Sequence, residues 1–284
     1  MAHYSTYNMP TPNFFALALQ AYHELQSELA CTCAGTSEQT GQSIHPPALP
    51  TLEDVLDQLE SPPPGALMIG LASDGLPVLL DLYDPAPCPL LIVGDGRSGK
   101  TALLQLLART TDLLQESDDI QFGVVTNFPE EWEGRKRRLP FSTSPANIGI
   151  WPAHHSSAEQ FLHDAVTWAN DSRQEREVRV LLLDDLASLV STSNETQEDL
   201  RWLLVRGPER HVWTVATLNT VRAIRLRSWL GLFPTHIFGF IHQPALADVL
   251  TGDPQAGLSV LVPGLQFSLK QDANWLQFWL PSFE

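Results

Sequence analysis

The chain has 284 residues, 43% of them hydrophobic, which is enough to fill a core and excludes wholesale disorder. A formal net charge of -16 argues against a broad basic surface that would hold nucleic acid by releasing counterions. Three cysteines, Cys31, Cys33 and Cys88, exclude a disulfide framework and offer no CxxC pair for zinc, and no run approaches 18 apolar residues.

Residues 1 to 96 hold 11 acids and no Lys or Arg, so any affinity for polyanions must come from further along the chain. The start of the chain lacks the basic region of a secretory signal, and the expectation is a cytoplasmic protein without a membrane span. From Asn13 to Ala30, Phe14, Leu17, Leu19, Tyr22, Leu25 and Leu29 recur at near-helical spacing and predict an amphipathic helix. Residues 31 to 50 are rich in Thr, Ser, Gly and Pro and read as a linker. A short helix follows over Thr51 to Glu60, and Ser61-Pro-Pro-Pro-Gly65 stops it, because proline cannot continue a helix. The expected organisation is an acidic helical segment with its linker over 1–60 and one folded domain over 61–284.

Within that domain the pattern changes to short apolar runs. ALMIGLA and LPVLLDL flank Ser73-Asp74-Gly75 and predict a hairpin. LLIVG (90–94), IQFGVVT (120–126), NIGI (147–150), VRVLLLD (178–184), VWTVAT (212–217) and HIFGF (236–240) read as strands. Several lack alternation, as strands covered on both faces do. Helical stretches fall between them over Gly99–Gln115, Ser157–Ser172, Thr196–Arg206 and Pro244–Leu250. Strand and helix in turn indicate an α/β fold with a mostly parallel sheet and helices on both faces. SVLVP, LQFSL and WLQFWL in the tail predict antiparallel strands at the C-terminal edge.

Directly after LLIV stands Gly94-Asp95-Gly96-Arg97-Ser98-Gly99-Lys100-Thr101, followed by the helical TALLQLLART. This satisfies G-x-x-x-x-G-K-[ST] in its strand, loop, helix context. Glycines let successive backbone N–H groups turn inward around phosphate oxygens, and the next helix presents its positive end. The motif assigns Lys100 to the β and γ phosphates and Thr101 to Mg²⁺. The expected cofactors are therefore ATP and Mg²⁺. A second motif is the strand Val178–Leu183 ending in Asp184-Asp185, which assigns Asp184 to the metal and Asp185 to the attacking water. Thr217, at the end of a third apolar strand, is a candidate γ-phosphate sensor, although Thr is also a common strand-end residue.

These residues resemble the motor domain of the FtsK/SpoIIIE and HerA superfamily, including the ATPase modules of type VII secretion EccC proteins. The resemblance runs through most of residues 66 to 270. LMIGLASDGLPVLLDLYDPAPCPLLIVGDGRSGKT is similar to the family's entry into the P-loop, IQFGVVTNF to the second strand of the EccC modules and VRVLLLDDLASLV to the Walker B strand. HVWTVATLN is similar to the sensor strand, and FPTHIFGFIHQPALADVLTGD to the returning strand and its short helix. It implies a RecA-like P-loop NTPase that hydrolyses ATP, forms a homo-oligomeric ring and acts on DNA or polypeptide. The chain departs from the translocases in three ways. Asp185 stands where they have Glu, Leu218 stands in the place of a Gln, and 284 residues leave no room for their large DNA-engaging regions. A competing reading is therefore a hydrolysis-poor nucleotide-binding module that organises a protein-partner interface.

Other features carry a blander reading beside the functional one. Arg135-Lys136-Arg137-Arg138 could touch a phosphate backbone, but a solvated loop is the favoured reading. Arg206 and Arg210 precede the sensor strand and are candidates for an arginine finger, with surface ion pairing as the alternative. His154, His155 and His163 lack the Cys or acid cluster a metal site needs. The eight Trp residues read as core and interface fillers. Residues 1–60 are expected to pack on a P-loop domain, their own or a neighbour's, and offer a surface for a protein partner.

Overall fold

The structure is a computed structural model that describes residues 49–59, 62–114, 119–133, 144–171, 177–271 and 274–282, all within the compact unit Pro46–Glu284. The helix expected over Asn13 to Ala30, most of the linker and the basic cluster at 135–138 lie outside the described residues.

The first described helix, α1 (Leu52–Asp57), starts at Thr51, whose hydroxyl accepts from the Asp54 N–H while the Asp54 carboxylate accepts from the Thr51 N–H. This reciprocal cap satisfies two donors that a helix start leaves unpaired. Leu52 and Val55 are buried. The Leu52 N–H donates to the Ser282 carbonyl and the Ser282 N–H to the Pro50 carbonyl. A helix that the sequence places ahead of the boundary at residue 61 is thus bonded to the far end of the P-loop unit.

Ten strands form one sheet: β1 (Ala66–Ala72), β2 (Pro77–Asp81), β3 (Leu90–Gly94), β4 (Ile120–Thr126), β5 (Asn147–Pro152), β6 (Val178–Asp184), β7 (Val212–Asn219), β8 (Thr235–Phe238), β9 (Gln266–Gln271) and β10 (Asn274–Trp279). Their order is β2-β1-β10-β9-β8-β3-β7-β6-β4-β5. From β8 to β5 every neighbouring pair is parallel, and from β2 to β8 every pair is antiparallel. β3, β6 and β7 sit inside the parallel half, and their nearly continuous apolar runs match strands covered on both faces. The antiparallel strands lie at one side, as expected. Within that side β9 and β10 are inserted between β8 and the N-terminal hairpin, and β2 is outermost. SVLVP forms turns instead of a strand, with Val260 exposed and Leu261 buried.

Between the strands run α2 (Lys100–Leu114), α3 (Ser156–Asp171), α4 (Leu186–Val190) and α5 (Asn194–Arg206), then the short α6 (Thr220–Ala223), α7 (Arg227–Leu230) and α8 (Pro244–Thr251). Leu91, Val93, Leu181, Leu183, Ala216 and Leu218 point into one buried cluster, which they share with Phe161, Leu162, Leu200 and Leu203 of α3 and α5. Side chains alternate along a strand, so the intervening Ile92, Leu182, Asp184, Val215 and Thr217 point to the opposite face. That places an acid and a hydroxyl from adjacent strands side by side.

Trp213 of β7 is fully buried, and its indole N–H donates to the Leu82 carbonyl at 2.8 Å. This contact pins the chain leaving β2 to the centre of the sheet. Trp213→Phe keeps an aromatic filler but strands that carbonyl, and should lower the unfolding free energy by about 1–3 kcal/mol. A shift of the urea midpoint at unchanged slope would show it.

Candidate functional site

The loop between β3 and α2 is shaped from within and held from behind. Arg97 and Gly99 adopt φ of 64° and 91°, the left-handed region that folds the chain back on itself. A Cβ on Gly99 would lie 2.8 Å from the Gly264 carbonyl oxygen, so the turn after residue 262 forms a wall that only glycine fits against. Beyond β8 the chain runs on beside the loop. The Gly239 N–H donates to the Val93 carbonyl, the Asp95 N–H to the Phe240 carbonyl, and the His242 N–H to Asp95 Oδ2 at 2.8 Å. Asp95 is thus tied at both its backbone and its side chain.

Lys100 opens α2 and turns back over the loop. Its Nζ donates to the carbonyls of Gly94 at 2.9 Å and Asp95 at 2.8 Å, and more loosely to Ser98 Oγ at 3.4 Å. Burial holds its pKa below the ordinary lysine value, partly offset by the negative Asp184, Asp185 and Asp95. Ser98 is buried beneath the loop.

Next to Lys100, the Thr101 hydroxyl donates to Asp184 Oδ2 at 2.9 Å, and the Thr217 hydroxyl donates to Asp184 Oδ1 at 2.6 Å. Asp184 is only 8% exposed and Thr217 fully buried. A buried carboxylate is tolerable because both of its oxygens are hydrogen-bonded. Three segments far apart in sequence, the P-loop helix, β6 and β7, converge on this one group. Thr101 and Asp184 offer a hydroxyl and a carboxylate oxygen side by side, a hard oxygen pair that fits Mg²⁺ completed by phosphate and water. Among the described residues no cluster of three His, Cys, Asp or Glu could hold a metal without such help.

Asp185 is differently placed. It caps α4, accepting from the Ala187 N–H at 2.8 Å through Oδ1, while Oδ2 accepts from Arg222 Nη1 at 2.6 Å. Burial pushes its carboxyl above the usual carboxylate value against the pull of these partners. Both oxygens of the acid that the sequence assigns to the water are therefore engaged.

Thr101, Asp184 and Asp185 line a cleft of about 520 Å³, together with Asn127, Glu131 and Arg222. Sequence reasoning missed the last three. Asn127 follows β4 and donates to Ser188 Oγ at 2.8 Å. Glu131 ends a single 3-10 turn, and its carboxyl is raised by burial first and then by the negative Asp184 and Glu130. Asn219, also on the cleft, caps α6 by accepting from the Val221 N–H. Leu218, in contrast, points into the buried cluster, so the polar group at the end of β7 comes one residue later. An Asn at a strand end ahead of Thr-Val-Arg is a helix-cap signal that could have exposed the turn carrying Arg222.

The other candidates lie elsewhere. Arg206 ends α5 and pairs with Glu209 at 3.8 Å, with both side chains exposed. Arg206 and Arg210 precede Val212, at the opposite end of β7 from the Gly94–Asn219 register pair and so away from this chain's own cleft. His163 meets Asp199 at 3.1 Å on the outer helices, and His155 bonds within its own turn.

No protein-family model matches the chain, and no curated protein matches its sequence. Solved structures do. The cytoplasmic domain of the type VII secretion ATPase EccC from Thermomonospora curvata superposes with a TM-score of 0.59 at 16% identity, over 84% of this chain and 28% of that one. The conjugation coupling protein TcpA of pCW3, in its monomer form with ATPγS, gives 0.62 at 15% identity over 93% and 82%. EssC from Geobacillus thermodenitrificans, ATPases 2 and 3, gives 0.62 at 13% identity over 84% and 47%. This chain therefore spans about a quarter of the EccC domain. The fold is the RecA-like P-loop fold of these ATPase structures.

Gly99→Ala should lower the unfolding free energy by about 1–3 kcal/mol, through the left-handed backbone and the Gly264 contact. Gly96→Ala, where a Cβ meets open space, should stay within about 0.5 kcal/mol. Urea unfolding of the two variants compares them directly.

Proposed function

We propose that the chain binds ATP with Mg²⁺ and hydrolyses it as an FtsK/HerA-like ATPase. The observation that carries this reading is the convergence of Thr101 and Thr217 on the buried Asp184, beside a glycine-shaped loop that follows a central parallel strand. In this reading the backbone N–H groups of Gly94 to Thr101 cradle the phosphates. Lys100 exchanges its loop carbonyls for β- and γ-phosphate oxygens, Thr101 and Asp184 hold the metal, and Thr217 fixes the orientation of Asp184. Bound Mg²⁺ would neutralise charge on the transferring phosphoryl group. Asp185 is the carboxylate nearest in role to a water-orienting base.

The neighbouring structures come from secretion, conjugation and DNA packaging, among them an EccC in complex with a signal sequence peptide and a DNA-packaging ATPase from Sulfolobus Turreted Icosahedral Virus. A cytoplasmic, ring-forming motor is the corresponding reading here. The net charge of -16 favours polypeptide over duplex DNA as what it acts on. Among the described residues, no helix is long and apolar enough to cross a membrane. A second reading, the hydrolysis-poor module, is supported by the engagement of both Asp185 oxygens.

ATP with Mg²⁺ should raise the melting temperature, since a ligand at a hundred times its Kd adds about 2.7 kcal/mol to the native state. Lys100→Ala should abolish most of that rise, and Asp184→Asn should remove its dependence on Mg²⁺. Equal shifts in wild type and both variants would overturn the site. Residues 1–60 are proposed to offer a surface for a protein partner, and the part ahead of Pro46 can be removed without touching the P-loop unit. Deleting residues 1–45 should keep the ATP-induced shift and change the mass seen by light scattering.

A further inference from the structure

Arg222 enters the cleft by a route no motif marks. β7 runs past Thr217, which is bonded to Asp184, and ends at Asn219. Asn219 caps the one-turn α6, which brings Arg222 over the strand end against Asp185. Among the described residues lining the cleft, Arg222 is the one cation, and Glu131, Asp184 and Asp185 are the acids. Lys100 is committed to the loop carbonyls behind them.

A triphosphate whose last group reached this cleft would meet three carboxylates. Charge developing there needs a cation beyond the loop lysine and the metal. Arg222 is also poised to leave its partner. Its side chain is 55% exposed, and a half-exposed ion pair is held weakly. Asp185 keeps the Ala187 N–H when the guanidinium departs, so it is not left as a bare buried charge. A phosphate oxygen set matches the guanidinium fork at least as well as a carboxylate with one oxygen already engaged.

We propose that Arg222 is a catalytic arginine supplied within the chain, parked on Asp185 until the γ phosphate of ATP draws it away. The proposal rests on the ATP-site reading above. One movement then does two things. Arg222 moves onto the γ phosphate, and Oδ2 of Asp185 is freed towards water. The water oxygen bonds to the γ phosphorus as the bond to the β,γ-bridging oxygen breaks. The electron pair of that bond leaves with ADP, and Asp185 takes the proton from the water. In this proposal the pairing of Asp185 with Arg222 is a resting arrangement and does not mark a lost activity.

The test uses the full chain with Mg²⁺ and compares the affinity of ADP with that of a non-hydrolysable ATP analogue, alongside ATP turnover. Arg222→Ala should cost at least about a thousandfold in turnover. It should also weaken the ATP analogue about tenfold or more while leaving ADP unmoved. Asp185→Asn removes the competing charge and should tighten the ATP analogue but not ADP, and adding Arg222→Ala should cancel that gain. If Arg222→Ala keeps the wild-type preference for triphosphate, or Asp185→Asn leaves analogue affinity unchanged, Arg222 is a surface ion pair and the proposal falls. If the folded wild type binds neither nucleotide, the ATP-site reading falls and takes this proposal with it.

Discussion

Asp184 is a charged group under a sheet, and the geometry around it follows from the need to satisfy it. Each oxygen takes one hydroxyl, from Thr101 on the P-loop helix and from Thr217 on the neighbouring strand. A slip of β7 by one residue would turn Thr217 into the opposite core and bring Leu218 against the carboxylate. Register, helix start and strand order are therefore tied to one side chain. The continuous apolar burial of β3, β6 and β7 supplies the rigidity that keeps the three elements in place.

The same carboxylate separates two kinds of acid at one strand end. Asp184 is satisfied by neutral hydroxyls, which in the proposed reading would share it with a metal without moving it. Asp185, next in the chain, points the other way in function, since it holds a helix start with one oxygen and an arginine with the other. On the proposal above, the first acid is a fixed post and the second a group in temporary use. That contrast decides how the shorter side chain at residue 185 should be understood.

Much of this was legible in the residues. The P-loop, the acid pair after Leu183 and Thr217 are local patterns, in which residue type and spacing along a strand or turn carry the meaning. The hairpin at Ser73–Gly75 was legible for the same reason. Arg222, Asn219 and Glu131 were not, because each reaches the cleft by a turn after a strand, and only sheet order decides which strand ends lie together. Arg206 and Arg210 drew attention by their nearness in sequence to the sensor strand, yet they stand at its other end. SVLVP has the composition of a strand, but Pro263 and Gly264 convert the stretch into turns that back the P-loop. The tail strands were recognised as antiparallel, while their seat between β8 and β1 depends on long-range pairing that composition does not encode.

That seat has a bearing on how the molecule comes to exist. The hairpin of β1 and β2 is made before β10, but its inner edge pairs with β10, so Leu71 must wait for Trp279. Until then β1 presents an unpaired, apolar margin, the kind of edge that recruits foreign strands. The loop Gly94 to Thr101 likewise lacks its backing until Gly239, His242 and Gly264 have been made. Such non-local closure makes for slow folding and a nascent chain exposed to aggregation. The loop after β3 thus emerges before the segments that give it its shape.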